Sequence, residues 1–412
     1  MNTNKSIIYP KSEELKIISN NNFRKNEKNK FIDYKNTVCV KPWGHEFLVF
    51  QNKKIGIWFL KIVKGHKTSL HCHFNKDTII IVLKGSAKIE LINNEVINLN
   101  VMESLFLPHY NFHGLGTFSD EMYIIEIEVY NDNIDFTDKN DLLRINDIYK
   151  RNSNNYESSV NAIKENLGEY DYFFLEKNFN EKIQGIDLKV TEVNAENISQ
   201  IKNNCYNILL EGSIFQNFKY ISEGSVLDSL ENIQFLHDKC LLLSLDRYDY
   251  KEESKIIYDN SQLELTVKKL KSQNKNIILS SGCFDILHIG HINTLIESKK
   301  LGDVLMICLS NDEQIKKLKG DERPINNYKD RIDLFKTIKY VDYIILYSEE
   351  NIEREESLGE IMKIVDPYYW VKGSDYSVGK ILEKHPYLKN IKLINNIQDK
   401  STTNIINKIK NT

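Results

Sequence analysis

No run of apolar residues in this chain of 412 approaches the ~18 that a membrane-crossing helix requires. The N-terminus has no signal-peptide h-region, because Ile7-Ile8 is short and is followed by Pro10 and polar residues. Cysteine is sparse. The six (39, 72, 205, 240, 283 and 308) are scattered without a CxxC pair, which argues against a disulfide framework and for a reducing, cytoplasmic setting. Nor is there an excess of positive charge. Lys and Arg number 55 against 58 Asp and Glu, so the net charge is −3 and no global basic field invites nucleic acid. Membrane and nucleic acid are thus excluded as expected partners. The length predicts two or three domains, each with its own core. The first stretch, 1–37, reads as a flexible leader, since Asn20-Asn21-Asn22 and interspersed lysines dominate residues 17–30.

The most informative string is Gly282-Cys283-Phe284-Asp285-Ile286-Leu287-His288-Ile289-Gly290-His291, after the apolar run Ile277-Ile278-Leu279. A strand enters a glycine turn, and two histidines three positions apart open a helix. Glycine permits close approach of backbone to phosphate, and a helix N-terminus presents free N–H groups to it. Positions i and i+3 share a helix face, so His288 and His291 can address one phosphorus. Strands at 276–280, 304–309, 341–347, 369–372 and 391–395 alternate with helices near 289–300, 327–338, 351–364 and from 402, and with a polar helix containing Lys316, Lys317 and Lys319. Such alternation predicts a parallel sheet covered on both faces, with ligands beyond the carboxyl ends of the strands. Gly282, Ser310 and Lys372-Gly373 all fall at such ends.

These residues resemble the HxGH signature of the cytidylyltransferase-like nucleotidyltransferases. Leu318-Lys319-Gly320-Asp321-Glu322-Arg323-Pro324-Ile325-Asn326, Val371-Lys372-Gly373-Ser374-Asp375-Tyr376 and Ser401-Thr402-Thr403-Asn404-Ile405-Ile406 extend the resemblance to the adenylyltransferase domain of ADP-heptose synthase, over about 274–410. One departure is plain: the N-terminal part looks nothing like the sugar kinase that usually precedes this domain. The resemblance implies a Rossmann-like fold and a sugar phosphate oxygen attacking the α-phosphorus of CTP or ATP, with pyrophosphate leaving. It implies that His288 and His291 stabilise the transition state and that Arg323, helped by Lys319, neutralises the leaving group. Gly282, Cys283, Phe284, Lys372, Gly373, Asp375, Ser401, Thr402 and Thr403 would bind the nucleotide, with Mg²⁺ carried by the triphosphate. Several neighbours take a plainer reading. Cys283 is a small turn residue, Lys316 and Lys317 form a solvated helix face, Asp285 orients the turn and the first histidine, and Arg331 forms an ion pair as readily as it reaches phosphate.

Residues 38–130 alternate apolar and polar positions in short runs separated by turns, the pattern of a small antiparallel barrel or jelly roll. Within it lie His71, His73 and, later, His113. Residues i and i+2 of a strand face one side, so His71 and His73 point inward, and with His113 they make a three-nitrogen set for a divalent transition metal. The spacing resembles the cupin motifs. Lys41-Pro42-Trp43-Gly44-His45-Glu46 and Asn140-Asp141-Leu142-Leu143-Arg144 look like the cupin domain of type II phosphomannose isomerases, over about 40–151. Against that pattern Thr78 stands where a glutamate ligand is expected, with Asp77 beside it as a substitute, and Met102 and Tyr110 replace glycines. A metal there would polarise a sugar carbonyl during 1,2-isomerisation, with Asp77, Glu126 or Glu128 as candidate bases. The other reading is a cupin that only binds sugar or dimerises.

A faint repeat follows. Gly185-Ile186-Asp187-Leu188-Lys189-Val190 echoes Gly56-Ile57-Trp58-Phe59-Leu60-Lys61, and Leu209-Leu210-Glu211-Gly212-Ser213-Ile214 echoes Val82-Leu83-Lys84-Gly85-Ser86-Ala87. Ile198 and Gln200 stand where His71 and His73 would recur. The expected organisation is a leader (1–37), a cupin (38–155), a degenerate second cupin or α+β spacer (156–262) and a nucleotidyltransferase (263–412). The chain is expected to activate a sugar or polyol phosphate for surface polysaccharide and to work as a homodimer.

Overall fold

Runs of Val, Ile and Phe broken by Gly and Asn turns make the described residues of the N-terminal half mostly sheet. The computed structural model describes residues 5–20, 33–130, 141–146, 149, 161–202, 206–227, 229–246, 255–346, 354–374, 376–384, 386, 390–395 and 402–410. The chain divides into two units, Met1–Tyr250 and Lys251–Thr412.

In the first unit the strands are β1 (Lys5–Ile7), β2 (Val38–Lys41), β3 (Gly44–Gln51), β4 (Ile55–Val63), β5 (Leu70–Cys72), β6 (Lys76–Lys84), β7 (Ala87–Leu91), β8 (Val96–Leu99), β9 (Ser104–Leu107), β10 (His113–Thr117), β11 (Glu121–Tyr130), β12 (Leu143–Asn146) and β13 (Asn161–Ile163). They form an eight-stranded sheet, β1-β9-β6-β11-β4-β3-β2-β13, and a five-stranded sheet, β12-β5-β10-β7-β8. Inward residues of both, such as Trp58, Ile80, Ile89 and Leu115, share one core, so this is a cupin jelly roll. Met102 (φ 60°) and Tyr110 (φ 71°) hold left-handed backbone at the two positions where the cupin pattern has glycine, so the turns survive without it.

The expected leader is not free chain where it is described. β1 pairs in parallel with β9, and helix α1 (Ser12–Asn20) buries Glu14. A lysine- and asparagine-rich composition does not reveal this, because the docking uses backbone and a few side chains.

The middle segment repeats the strand order of the first sheets. Strands β14 (Asn180–Ile183), β15 (Ile186–Val193), β16 (Tyr206–Glu211), β17 (Ile214–Gln216), β18 (Lys219–Ile221), β19 (Val226–Leu227), β20 (Ile233–Phe235) and β21 (Cys240–Asp246) form sheets β14-β15-β21-β16-β19 and β18-β17-β20. Those orders reproduce β3-β4-β11-β6-β9 and β8-β7-β10. Even the bulge recurs: the register slips past Leu83 in β6 and past Leu210 in β16, the positions paired by the sequence repeat. Among the described residues β5, which carries His71, has no strand counterpart; Ile198–Gln200 forms a short 3₁₀ turn. The two copies share a core, and Gly224 sits where a Cβ would lie 2.6 Å from Val129 Cγ2, so only glycine allows that approach.

The second unit is α/β. Strands β22 (Ile256–Ile257), β23 (Ile277–Gly282), β24 (Val304–Leu309), β25 (Tyr343–Leu346), β26 (Tyr369–Gly373) and β27 (Ile391–Ile394) make a parallel sheet ordered β22-β25-β24-β23-β26-β27. The helices are α2 (Asn260–Ser272), α3 (Ile289–Lys299), α4 (Asp312–Lys319), α5 (Tyr328–Thr337), α6 (Arg354–Val365), α7 (Val378–Lys384) and α8 (Thr402–Lys410). Period-2 alternation splits the strands between two cores. Ile277, Leu279, Met306 and Cys308 meet α2 and α6, whereas Ile278, Leu305 and Ile307 meet α3 and α5. β22 and the whole of α2 belong to this unit, so it starts ahead of residue 263; the polar stretch hid a two-residue strand. Among the described residues no helix is long and apolar enough to cross a membrane.

Candidate functional site

In the cupin, His71 lies on β5, His73 follows it, and His113 opens β10 directly opposite His71. One ring nitrogen from each lies within 4.8 Å of the others. Each Nδ1 points at a backbone carbonyl: Ser69 O at 2.8 Å, Asp141 O at 2.6 Å and Asn111 O at 3.1 Å. A carbonyl only accepts, so every Nδ1 carries the proton and every Nε2 presents a lone pair. His73 Nε2 is buried without a hydrogen-bond partner. Burial also keeps the rings neutral: it pushes His71 and His73 well below the ordinary histidine range and His113 down to about 4. Neutral imidazoles with fixed tautomers and convergent lone pairs fit a divalent transition metal.

Asp77 does not join them. Its Oδ1 accepts from His109 N and Nδ1, each at 2.8 Å, because Asp77 faces the opposite side of β6 from Lys76 and Thr78. The residue that does face the cavity is Lys76, ion-paired to Glu128 at 2.6 Å with both side chains 1% exposed. Glu128 Oε2 also accepts from Trp58 Nε1 (3.2 Å) and Tyr130 Oη (2.7 Å). A carboxylate so engaged is a poor proton acceptor, which removes Glu128 as a base. Glu126 shares its face and lines the cavity. Lys41 and Glu46, 3.7 Å apart, and Arg144 complete the polar wall. Strand alternation puts Lys76 on the inner face two positions before Thr78, and a lysine there carries no metal-ligand signature in the sequence.

In the second unit, strand order reverses between β23 and β26, so the crevice beyond their carboxyl ends is the switch point. His288 caps α3 in extended conformation, and its ring stacks on His291 with centroids 3.9 Å apart and an interplanar angle of 25°. Both Nδ1 atoms are buried without a hydrogen-bond partner. Burial lowers both pKa values, His291 to about 4, with the charge of His288 acting second there. Two neutral rings stacked at a helix N-terminus can donate N–H groups to an anion.

The neighbouring residues build the walls and loops around the pair. Phe284 (φ 44°) is 7% exposed, and its ring lies between His291 (5.2 Å) and Phe335 (4.9 Å) as a support for the histidine. A Cβ on Gly282 would meet that ring at 2.9 Å, so the glycine makes room for Phe284. Cys283 is half-buried, and its carbonyl accepts from Arg331. Arg331 is fully buried; it donates to Cys283 O (2.8 Å), Ser310 O (2.6 Å) and Asn326 O (3.1 Å) and pairs with Asp312 at 2.7 Å. It is a clamp on three loops. Asp285 binds Arg323 Nε and accepts from the N–H groups of Ile325 (2.7 Å) and Asn326 (2.9 Å). It therefore orients the loop that carries Arg323, and the expected contact to His288 is not among its bonds. Lys372 Nζ lies 2.7 Å from both Ser281 O and Ser281 Oγ, over the rings of Trp370 and Tyr376, with Gly373 closing β26. Thr402 Oγ1 is 3.4 Å from Ile286 O, so the start of α8 abuts the loop leading to His288. Lys319 is exposed at the end of α4, and Lys316 pairs with Glu313 on the same solvated face. Asp375, Ser401 and the side chain of Thr403 lie outside the described residues. Ser281, which ties Lys372 and Trp370 (3.3 Å) to β23, was not singled out by sequence, since a serine inside an apolar strand carries no chemical signature.

Residues 279–408 match the cytidylyltransferase-like family and residues 27–147 match mannose-6-phosphate isomerase C-terminal, so the chain joins a cytidylyltransferase-like domain to a cupin of that family. It is 40% identical over 154 residues to Bifunctional protein HldE of a Nitratiruptor species, covering 37% of this chain and 32% of that protein. It is 40% identical over 187 residues to Bifunctional protein HldE of Helicobacter hepaticus, covering 45% and 36%. The chain thus spans about a third of the length of these curated relatives. Among solved structures, a lipopolysaccharide core biosynthesis protein from Thermoplasma volcanium is 28% identical over 30% of this chain and 97% of its own (TM-score 0.25). A cupin superfamily protein from Desulfitobacterium hafniense is 19% identical over 21% of this chain and 76% of its own (TM-score 0.19).

Proposed function

We propose that the second unit transfers a nucleoside monophosphate from CTP or ATP to a sugar or polyol phosphate, and that the cupin isomerises or epimerises the sugar phosphate. The observation that carries the first part is the stacked, neutral His288–His291 pair at the N-terminus of α3, at the switch point of a parallel sheet. A phosphate monoester oxygen is already ionised at neutral pH. It attacks the α-phosphorus, the bond to the bridging oxygen breaks, and pyrophosphate carries away the electron pair, so no general base is needed. The task left to the protein is positioning and charge stabilisation. His288 and His291 donate N–H groups to the phosphate oxygens, and Arg323, held at Nε by Asp285, neutralises charge on the leaving group with the help of Lys319. Ser401, Thr402 and Thr403 offer hydroxyl and N–H groups to the β- and γ-phosphates, and Lys372, Gly373 and Asp375 line the nucleoside or acceptor side. Mg²⁺ arrives on the nucleotide.

In the cupin, His71, His73 and His113 hold a divalent metal, which when bound supplies Lewis-acid polarisation of a carbonyl. Glu126 moves the proton, while Lys41 and Arg144 orient the anionic substrate. The fused arrangement lets the transferase consume the isomer that the cupin forms, in a route toward a nucleotide-activated sugar for surface polysaccharide.

A matrix of four nucleoside triphosphates against sugar and polyol phosphates, read by pyrophosphate release, tests the transferase. Solvent-deuterium exchange into sugar phosphates without nucleotide tests the cupin. Pyrophosphate release with no deuterium incorporation, and the same product from a His71/His73/His113 triple alanine variant, would reduce the cupin to a binding module.

A further inference from the structure

The described N-terminal residues lie against the wall that carries the three imidazoles, and they reach it by two routes. β1 pairs with β9, Lys5 beside Ser104 and Ile7 beside Phe106, and Ile8 N continues the ladder to Phe106 O at 3.3 Å. Ile8 O then accepts from Asn111 Nδ2 at 2.8 Å. The backbone carbonyl of that same Asn111 receives His113 Nδ1. A bonded path therefore runs from the N-terminal strand to a ring nitrogen of the metal set.

The second route is α1. Glu14 is 3% exposed. Its Oε2 accepts from Lys11 N at 2.6 Å, the back-bond of a carboxylate at the third position of a helix. Its Oε1 accepts from Phe112 N at 2.8 Å, the residue just before His113. Phe112 is fully buried, so without Glu14 that N–H would face neither water nor a strand partner. Ile17 and Ile18 of the helix pack on Cys72, Phe112 and Leu143. Cys72 lies between His71 and His73, and alternate strand residues face opposite sides, so α1 covers the outer face of the strand whose inner face bears the ligand.

We infer that residues 5–20 form a strap that positions His113 for metal, with Glu14 as its positioning residue. This rests on the metal centre proposed above and adds the element that sets its geometry. His113 begins β10 after a turn in which Tyr110 holds φ 71°; Tyr110 N reaches His73 O at 2.7 Å on the inner side, and the N-terminal residues supply the bonds on the outer side. Glu14 grips it at Phe112 and Ile8 grips it at Asn111. His71 and His73 keep their own carbonyl partners, so the strap's hydrogen bonds bear on His113 while its packing on Cys72 backs the other two.

Co²⁺ is titrated calorimetrically into metal-free full-length protein, as wild type, Glu14→Gln and Glu14→Ala, while its visible spectrum follows the ligand field. Amide exchange at Phe112 is read without metal. Affinity is expected to fall from wild type through Glu14→Gln to Glu14→Ala, the last by about 10–100-fold, with an altered spectrum and faster exchange at Phe112. Wild-type affinity and spectrum in Glu14→Ala would overturn the positioning role, and Glu14→Gln decides the matter if the alanine variant does not fold. A wild type that takes up no Co²⁺ overturns the metal centre and the strap's role with it, an outcome distinct from loss of the strap alone.

Discussion

Lys76 Nζ stands 2.6 Å from a carboxylate oxygen of Glu128 inside the cupin, with both side chains withdrawn from solvent. Trp58 and Tyr130 occupy the other oxygen of Glu128, so the anion is satisfied on every side it presents. Removing the cation alone leaves a buried, partly compensated charge. Lys76→Met should destabilise the first unit by about 3–5 kcal/mol, and Lys76→Met/Glu128→Gln should recover part of that loss. Urea unfolding of the full chain followed by far-UV circular dichroism measures it. A single variant within about 0.5 kcal/mol of wild type would mean that the pair is not buried as described.

The histidine pair of the second unit is expected to act only in catalysis. His288→Ala or His291→Ala should lower turnover roughly 10²–10³-fold, as for loss of a preorganised oxyanion donor, with circular dichroism unchanged. Near wild-type pyrophosphate release from either variant would remove the pair from the mechanism.

Two arginines divide structure from chemistry. Arg331 is fully buried and donates to three loop carbonyls, so Arg331→Met should cost about 3 kcal/mol or more, visible as an early unfolding transition. Arg323 is attached only through Nε to Asp285 among the described residues. Arg323→Ala leaves Asp285 with only the N–H groups of Ile325 and Asn326, so it should lower turnover strongly and cost less stability than Arg331→Met. The reverse pattern would exchange the two assignments.

His45 gives the pH dependence its sign. Burial, then the charge of Lys61, lowers its pKa to about 4, and its Nε2 is buried without a hydrogen-bond partner. Below the unfolded value of about 6.5 the unfolded chain takes a proton that the folded chain refuses. Stability is therefore full above that pH and declines as pH falls toward 4, by at most about 1.4 kcal/mol per pH unit for this group. His45→Phe should make the decline between pH 6.5 and 4 shallower by this group's share only, because His71, His73, His113 and His291 are also held low. Parallel curves for variant and wild type, from denaturant unfolding across that range, would show that His45 is not the group excluded from protonation.

Metal removal should act on one unit only. A saturating divalent ion at about 100 times its dissociation constant stabilises the cupin by about 2.7 kcal/mol, so chelation should lower only the first unit's unfolding transition. Pyrophosphate release, restored with Mg²⁺ alone, should be unaffected.

The parallel sheet, the histidine pair and the three imidazoles were legible in the sequence because each depends on local spacing. Period-2 alternation places His71 and His73 on one face, a strand–turn–helix string places His288 beside His291, and the repeat at Leu83 and Leu210 marks the duplicated bulge. What needed the tertiary structure are relationships across long sequence separation. Asp77 lies next to an expected ligand position in sequence yet faces His109, while Lys76 one residue earlier meets Glu128 across the sheet. Glu14 sits in a segment whose composition reads as disordered, but one hydrogen bond to Phe112 and two isoleucines anchor it. Spacing along the chain determines which face a side chain takes; which partner it meets there is decided by the packing of strands that the chain order does not reveal.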